Sequence, residues 1–197
     1  MIRTLSFAAA VGMAAATAAQ AQDCAAVTVE DPFDLDEAAI NVLYDCLKQD
    51  MAAGYAKAGD SVGADYRTWT VTSTRPAVAG PHGNRLLQTF ANDVAADQYL
   101  QFAEEGFEMP VGSVLAKESI SVSIKKQKAR VGPLFIMSKV GMDEAPETAG
   151  WLYAGVQPNG KPMKIKQSFC HDCHVGWEAQ DHLAYPLEEV RVGAAGN

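Results

Sequence analysis

Cys170-His171-Asp172-Cys173-His174 is the feature that most restricts this chain. Cys-x-x-Cys-His is the attachment signature of c-type haem. Two thiols two residues apart, on one helical turn, can add to the two vinyl groups of a haem. The next residue, His174, then turns its imidazole toward the iron as a nitrogen ligand. Its other ring nitrogen needs an acceptor to fix the ring, and the sequence does not name it. The position of the motif matters as much as its spelling. A thioredoxin-like domain carries Cys-x-x-Cys after its first strand, with most of the fold still to follow, whereas this chain ends at Asn197. A zinc site needs more ligands at matching spacing, and His182 alone is thin support. His82, His171 and His182 read as ordinary surface or supporting residues.

Export is expected. Arg3 supplies a short positive start, Leu5 to Ala18 an uncharged Ala-rich run, and Ala19-Gln20-Ala21 a small–x–small cleavage pattern. Residues 1–21 are therefore predicted to be a signal cut after Ala21, and the mature protein to be periplasmic. The other two cysteines suit that compartment. Cys24 and Cys46 are expected to form a disulfide tying the N-terminal segment, 22–62, to its helix. The formal charge of -8 argues against a nucleic-acid partner and against an anionic membrane surface.

Periodicity gives the fold class. Ile40, Leu43, Leu47 and Met51 recur at helical spacing in a helix expected from Asp34-Leu35-Asp36 to about Lys57. Strands are expected over 66–74, 85–91, 113–124, 134–140 and 151–157. The region 75–84 reads as a loop, and Asn92 or Asp93 as the cap of a helix to Glu105. A final helix over 169–184, capped by Ser168, carries the Cys-x-x-Cys-His motif. Pro186 ends it. The order predicts an α+β fold, a mostly antiparallel sheet with flanking helices, and haem c attached at the C-terminal helix. The strands exclude the four-helix cytochrome bundles, and a C-terminal haem motif excludes the common small electron carriers.

Within the strand 113–124 the alternation is plain. Val114, Ala116, Glu118, Ile120, Val122 and Ile124 share one face; Leu115, Lys117 and four serines share the other. By alternation alone, Lys117 is a solvated lysine with its stem lying over the sheet.

Further motifs carry a family resemblance over about residues 66–186: Ser73-Thr74-Arg75-Pro76 with Gly80-Pro81-His82-Gly83, Phe90-Ala91-Asn92-Asp93, the run from Met109 through Gly112-Ser113-Val114 to Lys117-Glu118, Gly150-Trp151-Leu152-Tyr153, and Ser168 to His174 with Tyr185-Pro186. In these the chain resembles the cytochrome P-460 family, which includes the cytochrome c′-beta gas binders. The resemblance implies a haem domain over 63–190, often homodimeric, and one covalent haem c held by Cys170, Cys173 and His174. His174 is then the iron ligand and the opposite iron face is open. It also places Lys117 where the enzymes of the family bond a lysine to a haem meso carbon. Those enzymes oxidise hydroxylamine, an activity that also requires an electron acceptor such as a soluble cytochrome. The gas binders lack the bond and bind nitric oxide or carbon monoxide against an apolar wall. Both readings stand at this point. Glu118 is a candidate proton acceptor, or else one half of an ion pair. Arg75 is a candidate donor to a bound nitrogen ligand or a propionate, or else a plain surface arginine. Phe90, Phe102 and Phe107 are candidates for a cavity wall, with core packing as their default. An electron-carrier reading would use Met109, Met137, Met142 or Met163 as a sixth ligand. The N-terminal helix and the 75–83 loop are the segments expected to reshape the pocket.

Overall fold

The computed structural model describes residues 31–193. The expected signal over 1–21 lies outside these residues, and so does Cys24 of the expected Cys24–Cys46 disulfide. Among the described residues no helix is long and apolar enough to cross a membrane.

The first helix, α1 (Glu37–Tyr55), starts where Asp36 accepts a hydrogen bond from the Ala39 N–H at 2.8 Å, with Glu37 in its positive first turn. Ile40, Leu43, Met51 and Tyr55 form its buried stripe. Gly54, which weakens the last turn by propensity, is there because the helix passes hard against a turn. A Cβ at Gly54 would lie 2.3 Å from the Pro158 carbonyl oxygen. A short helix, α2 (Ser61–Asp65), follows under an Asp60 cap.

Seven strands form one antiparallel sheet: β1 (Thr70–Val71), β2 (Ala77–Ala79), β3 (Arg85–Ala91), β4 (Val114–Ser123), β5 (Lys128–Val131), β6 (Leu134–Lys139) and β7 (Trp151–Val156). The order across the sheet is β1–β3–β4–β6–β7, with β2 beside β3 and β5 beside β4. Between β3 and β4 lies α3 (Asp93–Tyr99), capped by Asn92. The motif helix is α4 (Gln167–His174). The α+β expectation therefore holds.

Several boundaries differ from expectation, each for a local reason. Tyr66–Thr68 is a helical turn that buries Tyr66, leaving only two strand residues of the expected nine. Ala77–Ala79 pairs with β3 although Pro76 and Gly80 flank it, so the expected loop contains a hairpin. Lys128–Val131 was not expected as a strand. It is held by β4 rather than by its own burial, which is slight. The helix α3 stops near Leu100, and Phe102 turns left-handed at φ 47°. The last helix stops at His174. Residues 175–180 are looser turns, with Gly176 in them, and Asp181 and His182 are both left-handed, at φ 47° and 63°. Its N-cap position is Lys166, with no side-chain cap, rather than Ser168.

The sheet is buried on both faces. One face packs Ala116, Ile120, Leu86, Phe90, Leu134 and Ile136 against Ile40, Leu43, Met51 and Tyr55 of α1. The other packs Leu115, Met137, Trp151 and Tyr153 against Tyr99, Met109 and Leu183. Because side chains alternate along a strand, neighbours on β4 belong to different cores. The helix α1 therefore covers the face opposite Lys117.

Candidate functional site

On the second face a cavity of about 480 Å3 lies between the sheet and the C-terminal segment. That is within the range of small-molecule and cofactor sites. Its floor is a set of same-face residues: Leu87 and Thr89 of β3, Lys117 of β4, Phe135 and Met137 of β6, and Tyr153 of β7. Register explains their grouping, since Thr89 pairs with Lys117 and Lys117 with Phe135. Phe135 in turn pairs with Gly155. A Cβ at Gly155 would sit 2.7 Å from the Met163 sulfur and 3.2 Å from Ile165 Cδ1, so this glycine leaves room for two more cavity residues. One wall is the hairpin β2–β3 with its turn, from Ala77 to Gly83. Cys170, Cys173, His174 and Trp177 form another, and Ala184 to Leu187 close the rim.

The motif helix is docked by Gln167. Its side chain accepts from the Tyr153 N–H at 2.7 Å and donates to the Tyr153 carbonyl at 2.8 Å, so it mimics a strand partner at the sheet edge. His174 is buried, and its Nδ1 lies 2.7 Å from the His182 carbonyl oxygen. Nδ1 donates there because a carbonyl can only accept, which leaves Nε2 as the nitrogen with a free lone pair, able to act as a ligand. The missing acceptor is thus a backbone carbonyl eight residues on, invisible to any side-chain motif. Burial, and then Lys117, push the His174 imidazole down to about 4, so the ring is neutral as ligation needs. Cys170 is half-buried and Cys173 exposed, and both are free thiols.

The carbonyl that orients His174 is itself clamped. Asp181 Oδ1 accepts from Lys139 Nζ at 2.7 Å, and both side chains are 6% exposed. Asp181 Oδ2 accepts from the Met109 N–H at 2.8 Å, and the Asp181 carbonyl accepts from Trp151 Nε1 at 2.9 Å. Lys139 also donates to the Ala149 carbonyl at 3.1 Å and lies 5.1 Å from the centre of the Trp151 ring.

Lys117 lines the cavity and is 6% exposed, so it is not the solvated lysine that alternation alone suggests. Its Nζ donates to the Ala184 carbonyl at 3.2 Å. No carboxylate lies among the residues lining the cavity. Burial pushes the ammonium down to about 8.

The other two expected catalytic residues are elsewhere. Glu118 points to the α1 face, one peptide unit from Lys117 but across the sheet. Its Oε1 accepts from Tyr44 at 2.5 Å and from Arg67 at 2.9 Å, and its Oε2 accepts from Tyr66 at 2.8 Å. Burial pushes its carboxyl up, while Arg67 and the two phenols pull it back. It is a structural ion pair and does not reach the cavity. Arg75 is also outside the lining. It sits 3.6 Å from Glu37 Oε2 and donates to the Pro76 carbonyl, which ties the hairpin to the start of α1. Phe90 packs in the α1 core, and Phe102 and Phe107 against the second core, so none of them walls the cavity. Of the methionines, Met137 and Met163 line it, while Met109 is buried in the second core and Met142 is exposed.

One measurement separates these faces. Glu118→Gln is expected to cost roughly 1–3 kcal/mol, because Arg67 loses its buried charge partner but keeps some solvent. Urea denaturation should show that loss, and the haem spectrum of the matured variant should match wild type.

The cavity fits a large, flat, mostly apolar cofactor: two thiols and a neutral imidazole on one wall, aliphatic and aromatic side chains around them. Among the described residues no group of three or more His, Cys, Asp or Glu is arranged to hold a bare metal ion. The family model of cytochrome P460 matches residues 63–184. The chain belongs to the cytochrome P460 family. It is accordingly a cytochrome with a haem cofactor. The matched region begins after α1 and ends just past the His182 carbonyl, so it contains every strand and the clamp on His174. No curated protein sequence matches the chain.

Proposed function

We propose that this protein is an exported c-type cytochrome that oxidises hydroxylamine. Cys170 and Cys173 would hold one haem by thioether bonds, and His174 Nε2 would supply the ligand to its iron. The haem supplies a coordination position for a small nitrogen compound and a route for electrons. The observation that carries this reading is Lys117, a nearly buried lysine with no carboxylate partner in the same cavity as the attachment motif.

The residues of the chain have distinct tasks. The Lys139–Asp181 clamp and the His182 carbonyl fix the plane of His174. Leu87, Phe135, Met137, Ile165 and Leu187 keep the cavity apolar and exclude bulk water. Lys117 would be the residue to hold the macrocycle edge; such a link replaces one N–H and one C–H by an N–C bond, so it would need an external two-electron oxidant, with two protons released. Hydroxylamine would bind within this cavity, beside the side chains of Lys117 and His82. Electrons leave to a soluble acceptor cytochrome outside the cytoplasm.

The test is turnover by the haem-loaded protein. Hydroxylamine-dependent reduction of a one-electron acceptor, with nitrous oxide or nitrite formed, is the expected result. Its absence, with tight nitric oxide binding retained, establishes the second reading, a gas-binding cytochrome. The apolar lining and the lack of a cavity carboxylate favour that alternative.

A further inference from the structure

His82 stands at the tip of the β2–β3 hairpin, in a short helical turn over Gly80–His82. Gly83 and Asn84, both left-handed at φ 71° and 54°, bring the chain back into β3. Arg85 fixes this tip, since its Nη1 donates to the His82 carbonyl and its Nε to Ser121 Oγ at 3.2 Å. The backbone is therefore held while the imidazole is free. The ring makes no hydrogen bond to any described residue, lines the cavity, and rests 4.7 Å from the Phe135 ring.

Its placement relative to His174 is specific. The two ring centroids are 6.4 Å apart, with the rings nearly perpendicular at 82°. A metal-bound imidazole has its centroid about 3 Å from the metal, given bonds of about 2 Å, so two imidazoles on opposite sides of one ion lie about 6 Å apart. The two histidines also approach from opposite directions across the sheet. His174 is docked beside Tyr153 of β7, its ring 5.3 Å away, whereas His82 comes from the β2–β3 side. Lys117, on the strand between them, lines the same cavity.

We propose that His82 is a second axial ligand, an exchangeable one, which occupies the haem iron opposite His174 until a small ligand displaces it. Exchange breaks one iron–nitrogen bond and forms another, with no change in electron count. The hairpin tip is suited to this. It is short, its ring has no protein partner to lose, and swinging the side chain away costs only its contact with Phe135. A site gated in this way binds strong small ligands and resists weak ones. The proposal rests on a haem at this site but not on hydroxylamine being its substrate.

The test compares wild-type holoprotein with His82→Ala and His82→Phe, all matured with haem. Ferric absorption and electron paramagnetic resonance are expected to show six-coordinate low-spin iron in wild type and five-coordinate high-spin iron in both variants. Added imidazole should restore the low-spin signal in His82→Ala but not in His82→Phe, where the ring fills the space. Carbon monoxide should associate with the ferrous variants at least ~10-fold faster than with wild type, because a bound imidazole no longer has to leave. Circular dichroism checks that both variants fold, and the conservative filling of space by phenylalanine covers a collapse of the alanine variant. A wild-type iron that is already high-spin, or a low-spin iron unchanged in both variants, overturns the proposal. Low-spin iron that responds to His82 in a protein without hydroxylamine turnover upholds the ligand and defeats only the proposed function. High-spin iron with turnover does the reverse.

Discussion

Lys117→Ala is expected to remove a covalent link and, with it, hydroxylamine turnover. In the matured wild-type protein, trypsin digestion should yield the Lys117 peptide joined through haem to the peptide carrying Cys170 and Cys173. The variant should yield the haem peptide alone. The reduced wild-type protein should show a strongly red-shifted Soret band, and the variant the spectrum of an ordinary high- or low-spin haem c. Turnover should fall by ~100-fold or more, the scale on which single groups acting in a transition state matter. Nitric oxide should still bind, since no residue facing the iron has changed.

The physical case lies in the state of the amine. Only a neutral amine is nucleophilic. At pH 7 a surface lysine is neutral roughly three times in ten thousand, whereas a lysine brought to about 8 by burial is neutral about a tenth of the time. Formation of the link should accordingly speed up as the pH of maturation rises to about 8 and level off above it. An unlinked Lys117 peptide and a spectrum shared by wild type and variant would sink the enzyme reading and leave the gas binder.

Asp181→Asn should be the most damaging substitution for the fold among those outside the cavity lining. It leaves Lys139 buried at 6% exposure with no counter-charge. Breaking such a pair costs about 3–5 kcal/mol, and the retained acceptors, the Ala149 carbonyl and the amide oxygen, put the expected value near the lower end. For a domain of this size that is a fall in Tm of roughly 10 °C. Asparagine is the informative replacement because it tolerates the left-handed backbone at this position, so strain does not confuse the result. The effect should also reach the haem. The His182 carbonyl follows Asp181 directly, and a looser His174 should broaden the ferric spectrum even well below the melting transition. Lys139→Met in the Asp181→Asn background should recover much of the stability, because the unpaired charge is then gone. If the single variant melted like wild type, the clamp would have no energetic role.

The Cys-x-x-Cys-His motif could be read from sequence because thioether attachment and axial ligation need fixed residue types at fixed local spacing. The strand Val114–Ser123 was legible for a similar reason. Its alternation is local, and it correctly put Lys117 and Glu118 on opposite faces. Which of those faces lines the cavity is a different kind of fact. The apolar face of β4 looked like the core side, yet both faces are core. One is closed by α1 and the other by the C-terminal segment, so polarity along β4 could not choose between them. Of the two readings open for Glu118 the ion pair is the one found, with Arg67, and Lys117 would have been left in solvent without the family resemblance.

His82 shows the same limit. Its Gly- and Pro-rich surroundings read as loop, and a loop histidine has no partner in sequence. Only pairing of Ala77–Ala79 with β3 brings the ring over Phe135 and within 6.4 Å of the His174 ring.

By itself, then, the sequence determined the Cys-x-x-Cys-His motif and the residue types it offers, the fold class and the alternation of the central strand, all of which depend on residues close together in the chain. Tertiary structure decided which face of β4 lines the cavity, which carbonyl orients His174, and which histidine stands near it. Those depend on strand order and on how a left-handed pair at Asp181 and His182 returns the chain, and contacts between residues so far apart leave no periodic mark in the sequence.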